Sequence, residues 1–432
     1  MELYSKYLEC GLKVTTDSRT ISGGELFFAL KGENFDGNAY ALQALEKGAR
    51  YAVVDDPSLP DDARLIKVPD SFRALQELAI YHREHVLGEG RRLKVIGLTG
   101  TNGKTTTKEL IREVLAAKYR VVATEGNLNN DIGVPLSLLK ITPDTQIAVI
   151  EMGANHPDDI AKLVQVSRPD YGLITNVGTA HLLGFGSFEG VKAAKGELYK
   201  YLGAHAGSLI FLNEDDPDLR EMARRQPCHT FGYGLQYQRA QLLPTTADCP
   251  FLGLKLGADS IRTSLVGAYN ATNVLAAIAV GEYFGVPRAD AIAAIEAYVP
   301  SMGRSQLTRT QRNTLIVDAY NANPSSMKAA LDNFAAVQAP RKLALLGDMR
   351  ELGDASLQEH VAIVQKLRDL GLEAMLVGDE FRRALESAGV SMPWFASSAE
   401  LAQHLAAAPV CGAVVLVKGS RGITMEKTLP EL

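Results

Sequence analysis

Val95-Ile-Gly-Leu-Thr-Gly-Thr-Asn-Gly-Lys-Thr-Thr-Thr107 runs directly into Lys108-Glu-Leu-Ile-Arg-Glu-Val-Leu115, and this stretch constrains the rest of the chain more than any other. It opens as a short apolar strand, breaks at glycines, and continues with apolar residues at helical spacing. Gly100 and Gly103 let the backbone turn so that successive N–H groups point into one cavity. The positive end of the following helix completes a cradle for phosphate. Lys104 can reach the terminal phosphates, and the Thr105 hydroxyl is placed to ligate Mg²⁺. The strict G-x-x-x-x-G-K-[ST] pattern would put Gly at position 98, where Leu98 stands; the shorter Gly100-Thr-Asn-Gly-Lys-Thr105 remains. A glycine-rich turn that binds nothing is the plainer alternative. Strand, glycines, Lys-Thr and helix in that order favour a phosphate loop.

The segments that follow the loop alternate between helix and strand. From 91 to 302 the expected order is the loop strand, helix 108–117, strand 119–123, helix 132–139, strand 146–152, helix 157–165 and strand 171–176. Strands alternating with helices imply a mostly parallel sheet covered on both faces. Ligands of such sheets gather at the carboxyl ends of the strands, which makes Thr99–Thr105, Glu151 and Asn176–His181 neighbours in space. Residues 1–90 form a smaller α/β unit, with strands at 25–30 and 51–54 and helices at 39–48 and 71–86. Its polar loops, Asp17-Ser-Arg19 and Lys31 to Asn38, sit at strand ends, and Leu87 to Arg92 reads as a linker. Residues 303–432 carry strands at 315–318, 343–346, 374–377 and 414–417 with helices between, a Rossmann-like layout without a G-x-G-x-x-G of its own. The fold class is therefore α/β in three domains, at 1–90, 91–302 and 303–432.

Composition narrows the function. With 432 residues, 46% hydrophobic and 22% charged, the chain has enough apolar material for several cores. A formal charge of −5 gives no field that would draw nucleic acid or an anionic membrane. Cys10, Cys228, Cys249 and Cys411 are scattered without metal-type spacing and read as reduced thiols. No signal peptide and no apolar run of spanning length is visible, so a cytoplasmic location is expected.

Several residues can carry chemistry. Glu151 ends an apolar strand, where a charge is costly to bury without a partner; a Mg²⁺ shared with Thr105 and phosphate would provide one. His181 follows another strand end and reads equally as structural or functional. Periodicity makes Lys195 a solvated lysine, and Lys192 on the same helix an exposed one. Asn127, Asn129 and Asn130 form an amide-rich turn that could also hold a polar substrate. A second such run is Asp318-Ala-Tyr-Asn-Ala-Asn-Pro324. Asn270 and Asn273 open an alanine-rich helix, as an N-cap or an adenine contact.

Taken together, Gly100-Thr-Asn-Gly-Lys-Thr-Thr106, Glu151-Met-Gly-Ala-Asn155, Asn176-Val-Gly-Thr-Ala-His181, Ala193-Ala-Lys195 and Asp318 to Pro324 give a chain that resembles the Mur ligases over essentially its whole length. These are the ATP-dependent amide-forming enzymes of peptidoglycan synthesis. Gly126 to Pro135, Ala322-Asn-Pro324 and Leu346-Gly-Asp-Met-Arg-Glu-Leu-Gly353 are most similar to the branch that adds a dipeptide, and the Asp-Asn-Pro-Arg motif of the diaminopimelate-adding branch is missing. The resemblance implies an N-terminal domain for a UDP-linked substrate, a central ATPase and a C-terminal domain that completes the site. It implies joining of D-alanyl-D-alanine to UDP-N-acetylmuramoyl-tripeptide through an acyl phosphate, by a monomer without nucleic-acid or membrane partners.

The same resemblance implies roles by residue. Gly100, Thr101, Asn102, Gly103, Lys104, Thr105 and Thr106 would bind ATP phosphates, with Lys104 on the β- and γ-phosphates. Thr105 and Glu151 would hold one Mg²⁺ and His181 a second, supported by Lys195 as a CO₂-derived carbamate. Asn270 and Asn273 would lie on the adenine side, Arg304 on phosphate and Asp318 on ribose. Ser18 and Arg19 would meet the uridine nucleotide, and Asn129, Asn130, Asn321 and Asn323 the substrates. Lys104, His181, Lys195 and Arg304 would be the catalytic group. Tyr269 stands where many relatives have His, and Asn38 where an Asp-Gly-His is common. A related ligase adding another amino acid, a folate- or cyanophycin-type relative, or a non-catalytic nucleotide-binding module are the alternatives. A mere binder has no need of Glu151, His181 and Lys195 together.

Overall fold

Alternating strands and helices build three α/β units, each on its own main sheet. The computed structural model describes residues 2–245, 250–300, 303–304 and 306–432; Cys249 and the expected boundary at 302 lie outside them. In the first unit, Val14–Thr15, Leu26–Phe28, Tyr51–Val54 and Leu65–Lys67 pair in that order, all parallel. Helix Ser71–His85 covers the sheet and starts where the Asp70 carboxylate accepts from Arg73 N–H at 2.9 Å, an N-cap that satisfies one orphan donor. The Lys31–Asn38 loop contains a small antiparallel pair, Lys31–Gly32 with Phe35–Asp36.

The central sheet has six parallel strands in the order His229–Tyr233, Leu209–Asn213, Tyr171–Ile174, Lys94–Thr99, Ile147–Glu151 and Val121–Ala123. Its middle strands are near-continuous apolar runs because helices bury both faces. The register places Leu98 beside Glu151 and Thr99 beside Ile174, so the strand ends converge on the loop. The loop helix spans Lys104–Ala116, beginning four residues earlier than periodicity predicts. Its cap is Gly103 in the left-handed region, which makes Lys104 the first helical residue. A three-stranded antiparallel sheet, Gln241–Leu242, Phe251–Leu256 and Asp259–Val266, is an addition that the sequence pattern did not announce.

The last sheet is mixed. Its order is Gln306–Arg309, Thr314–Asp318, Val414–Lys418, Lys342–Gly347, Glu373–Val377 and Trp394–Phe395, with only the first strand antiparallel to its neighbour. The expected Rossmann-like strands are all present, and the edge strands Gln306–Arg309 and Trp394–Phe395 are new.

The units are joined unequally. One core cluster holds Tyr7, Leu26, Leu75 and Leu78 of the first unit together with Val95, Leu138, Ile150 and Ile174 of the second. The other face of the central sheet packs on the nearly all-buried helix Asn270–Tyr283. The last unit has two cores, one of which takes in Val266 of the central unit. Cys10, Cys228 and Cys411 are free. Among the described residues no helix is long and apolar enough to cross a membrane.

Candidate active site

The loop after Lys94–Thr99 is shaped by two positive-φ glycines, Gly100 at 143° and Gly103 at 79°. A Cβ on Gly100 would overlap the Thr175 hydroxyl, and one on Gly103 would lie 2.7 Å from Asn273 Oδ1. A side chain at either position would combine a strained positive φ with this crowding. Strand Tyr171–Ile174 then ties the loop down. Asn176 C=O accepts from Thr101 N–H at 3.0 Å, Asn176 Oδ1 accepts from Asn102 N–H at 3.0 Å, and Thr175 Oγ1 donates to Asn102 C=O at 2.6 Å. Lys104 folds back on this frame, its Nζ donating to the carbonyls of Gly100 at 2.8 Å and Thr101 at 3.1 Å. Burial pushes the Lys104 ammonium below its ordinary range; Glu151 opposes the shift and Arg304 adds to it.

Glu151 closes the neighbouring strand with 1% of its surface exposed. Its Oε1 accepts from Thr105 Oγ1 at 3.2 Å and from Asn129 Nδ2 at 2.8 Å. Its Oε2 is buried with no hydrogen-bond partner among the described residues. An unpaired buried carboxylate oxygen is expensive, and a divalent cation ligated beside the Thr105 hydroxyl would relieve that cost. Hard oxygen donors at the start of a phosphate cradle suit such an ion. Among the described residues no group of three or more His, Cys, Asp and Glu could hold a metal by itself, so phosphate and water would have to complete any such shell.

Lys195 overturns the expectation of a solvated cation. It lies on helix Phe188–Gly203 with 2% exposure, its Nζ donating to Ala154 C=O at 3.3 Å and lying 5.5 Å from the centre of the Phe185 ring. Burial pushes its amine down to about 7, with the charge of Lys104 acting in the same sense. It stands behind Ala154, which faces the cleft. Lys192 is not the exposed lysine either: its side chain is 12% exposed and spans Asp218 and Glu221, each at 2.7 Å. His181 is half-buried at a φ of 51°, and burial lowers its imidazole pKa against the pull of Glu351. Its Nδ1 is hydrogen-bonded to Glu351 Oε2.

The facing wall comes from the last unit. Arg304 stacks its guanidinium 3.6 Å from the centre of the Tyr320 ring, and its Nε is buried without a described partner. Asp318 is held by Lys418 Nζ at 2.5 Å, across a register that pairs the two residues. Asn323 caps helix Pro324–Ala336, accepting from Ser326 N–H at 2.8 Å, while its Nδ2 donates to Asn102 Oδ1 at 2.8 Å. Asn102 Nδ2 in turn donates to Ser325 Oγ at 2.8 Å. The phosphate loop is thus hydrogen-bonded directly to the opposite domain.

These walls enclose a cavity of about 860 Å³. Among the expected residues, Thr101 to Thr106, Asn129, Asn130, Glu151, His181, Asn270, Asn273, Arg304, Asp318, Asn321 and Asn323 line it. Gly100 shapes the loop without lining the cavity, Lys195 is one layer behind, and Ser18 and Arg19 do not line it. Arg19 instead pairs with Asp17 at 2.7 Å. Asn270 and Asn273 do not cap their helix: Tyr269 holds that position and no side chain caps it. The two amides are buried, with Asn273 Nδ2 donating to Asn270 Oδ1 at 2.9 Å and Thr107 Oγ1 donating to Asn273 Oδ1 at 3.0 Å. Asn130 is a turn residue as well, accepting from Gly133 N–H at 2.8 Å. Sequence reasoning missed Tyr320 and Lys418, although Lys418 ends an apolar strand just as Glu151 does.

Fold and cleft together define a three-domain α/β protein in which a phosphate loop on the central sheet is faced by a second domain. Residues 98–281 match the Mur ligase middle domain, 303–421 the Mur ligase glutamate ligase domain, and 13–83 the Mur ligase family catalytic domain. The UDP-N-acetylmuramoyl-tripeptide–D-alanyl-D-alanine ligases of Escherichia coli and Bacillus subtilis are 36% and 34% identical to it. Each alignment covers 97% of this chain, and 93% and 92% of those proteins respectively. MurF from Acinetobacter baumannii superimposes with a TM-score of 0.83 at 32% identity, covering 97% of this chain and 93% of that one. MurF from Thermotoga maritima, solved in complex with ADP, gives 0.83 at 27% identity, covering 97% and 96%. The chain belongs to the Mur ligase family.

Proposed function

We propose that this protein is an ATP-dependent ligase that joins D-alanyl-D-alanine to the terminal carboxylate of UDP-N-acetylmuramoyl-tripeptide, acting as a monomer in the cytoplasm. The observation that carries the reading is one cleft in which a phosphate loop, an acid with an orphaned oxygen and a stacked arginine meet, within a chain similar to these ligases from end to end. The domains would divide at 1–90, 91–302 and 303–432, for the UDP-linked substrate, ATP and closure of the site.

The tripeptide carboxylate attacks the γ-phosphorus of ATP, forming a C–O–P bond as ADP leaves. The dipeptide amine then attacks the acyl carbon; the amide forms, and phosphate and a proton depart. The first step brings anions together, so positive charge must face both. Lys104 swings from its own loop carbonyls to the β- and γ-phosphates, and Arg304 approaches from the facing wall. Thr105 and Glu151 would hold one Mg²⁺, and His181 with a carbamylated Lys195 a second, supplying the Lewis acidity that screens the phosphates. Asn270 and Asn273 border the adenine side and Asp318 the ribose. Asn129, Asn130, Asn321 and Asn323 offer amides to the peptide substrates, and Ser18 and Arg19 meet the uridine nucleotide. Contact between Asn102 and Asn323 keeps bulk water from the labile acyl phosphate.

The test is release of ADP and phosphate from the purified protein with ATP, Mg²⁺ and UDP-muramoyl-tripeptide. Release that requires D-alanyl-D-alanine, with a product heavier by the dipeptide less water, is expected. Release only with another amine would overturn the substrate assignment, and no release under any condition would leave a nucleotide-binding module.

A further inference from the structure

Two residues with side chains sit in the left-handed region and face each other across the domain boundary: His181 at a φ of 51° and Glu351 at 64°. Such backbone costs about 1–2 kcal/mol per residue and is found where the surroundings over-determine it. Their segments lie side by side, with Leu183 N–H donating to Glu351 C=O at 3.3 Å and Gly353 packed against Leu183. His181 lines the cleft and Glu351 does not.

The arm carrying Glu351 is anchored at each preceding residue. Asp348 N–H donates to Val377 C=O at 2.9 Å, and the Asp348 carboxylate accepts from Phe381 N–H at 2.9 Å and Glu380 N–H at 3.1 Å. Met349 N–H donates to His360 Nε2 at 3.0 Å, and Arg350 N–H to Ser420 Oγ at 2.9 Å. A surface ion pair needs no such mounting. Glu351 itself has no packing role, since its side chain is 57% exposed.

We infer that Glu351 is a positioning residue: reaching from the last domain, its carboxylate accepts the Nδ1–H of His181, fixing the tautomer and leaving Nε2 as the nitrogen offered to the cleft. A carboxylate only accepts, so the proton must be on Nδ1; no described group engages Nε2. The imidazole is thereby set only while the last domain is docked, which links assembly of the centre to exclusion of water. This rests on the ligase reading for its kinetic consequence, and not for the tautomer.

The experiment compares wild type with Glu351→Ala and Glu351→Gln. Both variants keep a non-glycine residue at a positive φ, and Gln retains an accepting oxygen. Histidine-selective ¹⁵N NMR of the nucleotide-free protein, with the His181 signal identified by its loss in His181→Gln, should show Nδ1–H in wild type and in Glu351→Gln. Glu351→Ala should show a mixture, and its kcat should fall about 10–100-fold with KM for ATP changed less than about twofold, while Glu351→Gln keeps most of its kcat. An unchanged tautomer and kcat in Glu351→Ala, or equal damage in both variants, would overturn the role. A wild type that does not ligate would sink the ligase reading alone, because the NMR comparison still decides whether Glu351 holds His181.

Discussion

An amine pushed down to about 7 by burial and by the charge of Lys104, as Lys195 is, has a substantial free-base fraction at neutral pH and can attack CO₂. Below that value protonation removes the nucleophile, so the carbamate and the ligase activity should fall together as pH drops through about 7. Added bicarbonate should recover part of the loss at about pH 6.5; activity blind to bicarbonate across that range would refute the carbamate. Lys195→Ala should lower kcat by about 100-fold, with partial rescue by a small carboxylate in solution. At the neighbouring acid, Thr105→Ala removes a donor to Glu151 and one oxygen from the proposed ion. The Mg²⁺ needed for half-maximal turnover should rise about tenfold, and an unmoved Mg²⁺ titration would exclude the hydroxyl as ligand. Lys195 also shows where residue-level reading failed. The reading from periodicity puts Lys195 in solvent, yet Val191, Lys195, Leu198 and Leu202 repeat at four, three and four residues and are all buried, so the stripe that faces the core runs through the lysine itself.

Among the elements, the strand–loop–helix at 94–116 was legible because its conformation depends on local sequence. Glycines turn the chain, and apolar periodicity makes the strand and helix on either side. Gly100→Ala would force a Cβ at positive φ into the Thr175 hydroxyl. The backbone term alone is about 1–2 kcal/mol, so the melting temperature should fall by several degrees and nucleotide affinity more than tenfold, about 1.4 kcal/mol. A variant that binds ADP like wild type in calorimetry would show that the loop tolerates another path. Less legible were elements whose meaning is set by distant partners. The sheet of Gln241–Leu242, Phe251–Leu256 and Asp259–Val266 includes a register shift between Phe251 and Gly253, which breaks the simple alternation that periodicity looks for. The Glu351 arm is a loop whose partner lies 170 residues away in sequence, and no local pattern encodes that pairing. Asn323 combines both kinds of information: its capping role follows from Asn-Pro-Ser-Ser at a helix start, while its bond to Asn102 appears only in the fold.

For the whole molecule, the first and central units share a core, and the last unit meets the central one through Val266, which sits in its core, and through polar contacts such as Asn323 with Asn102. The seam between the first and central units has a titratable pin. His82 is fully buried, bonded through Nε2 to Ile141 C=O at 2.8 Å and through Nδ1 to Tyr4 Oη at 3.3 Å, with the Tyr7 ring edge-on at 5.2 Å. Nε2 must donate to the carbonyl; burial holds the imidazole below its ordinary pKa, against the opposing carbonyl bond, so at neutral pH the ring is uncharged and Nδ1 accepts from Tyr4 Oη. The unfolded chain therefore binds a proton that the folded one refuses once pH falls through about 6.5, and stability is lost in that direction. Between about pH 7.5 and pH 5.5 the melting temperature of wild type should drop, and that of His82→Gln, which can still donate to Ile141, should change less. The variant should be modestly less stable at the higher pH, having lost the ring packing against Tyr7. Parallel pH curves for the two proteins would mean that the seam between the first two units does not titrate through His82, and that other groups set their acid limit.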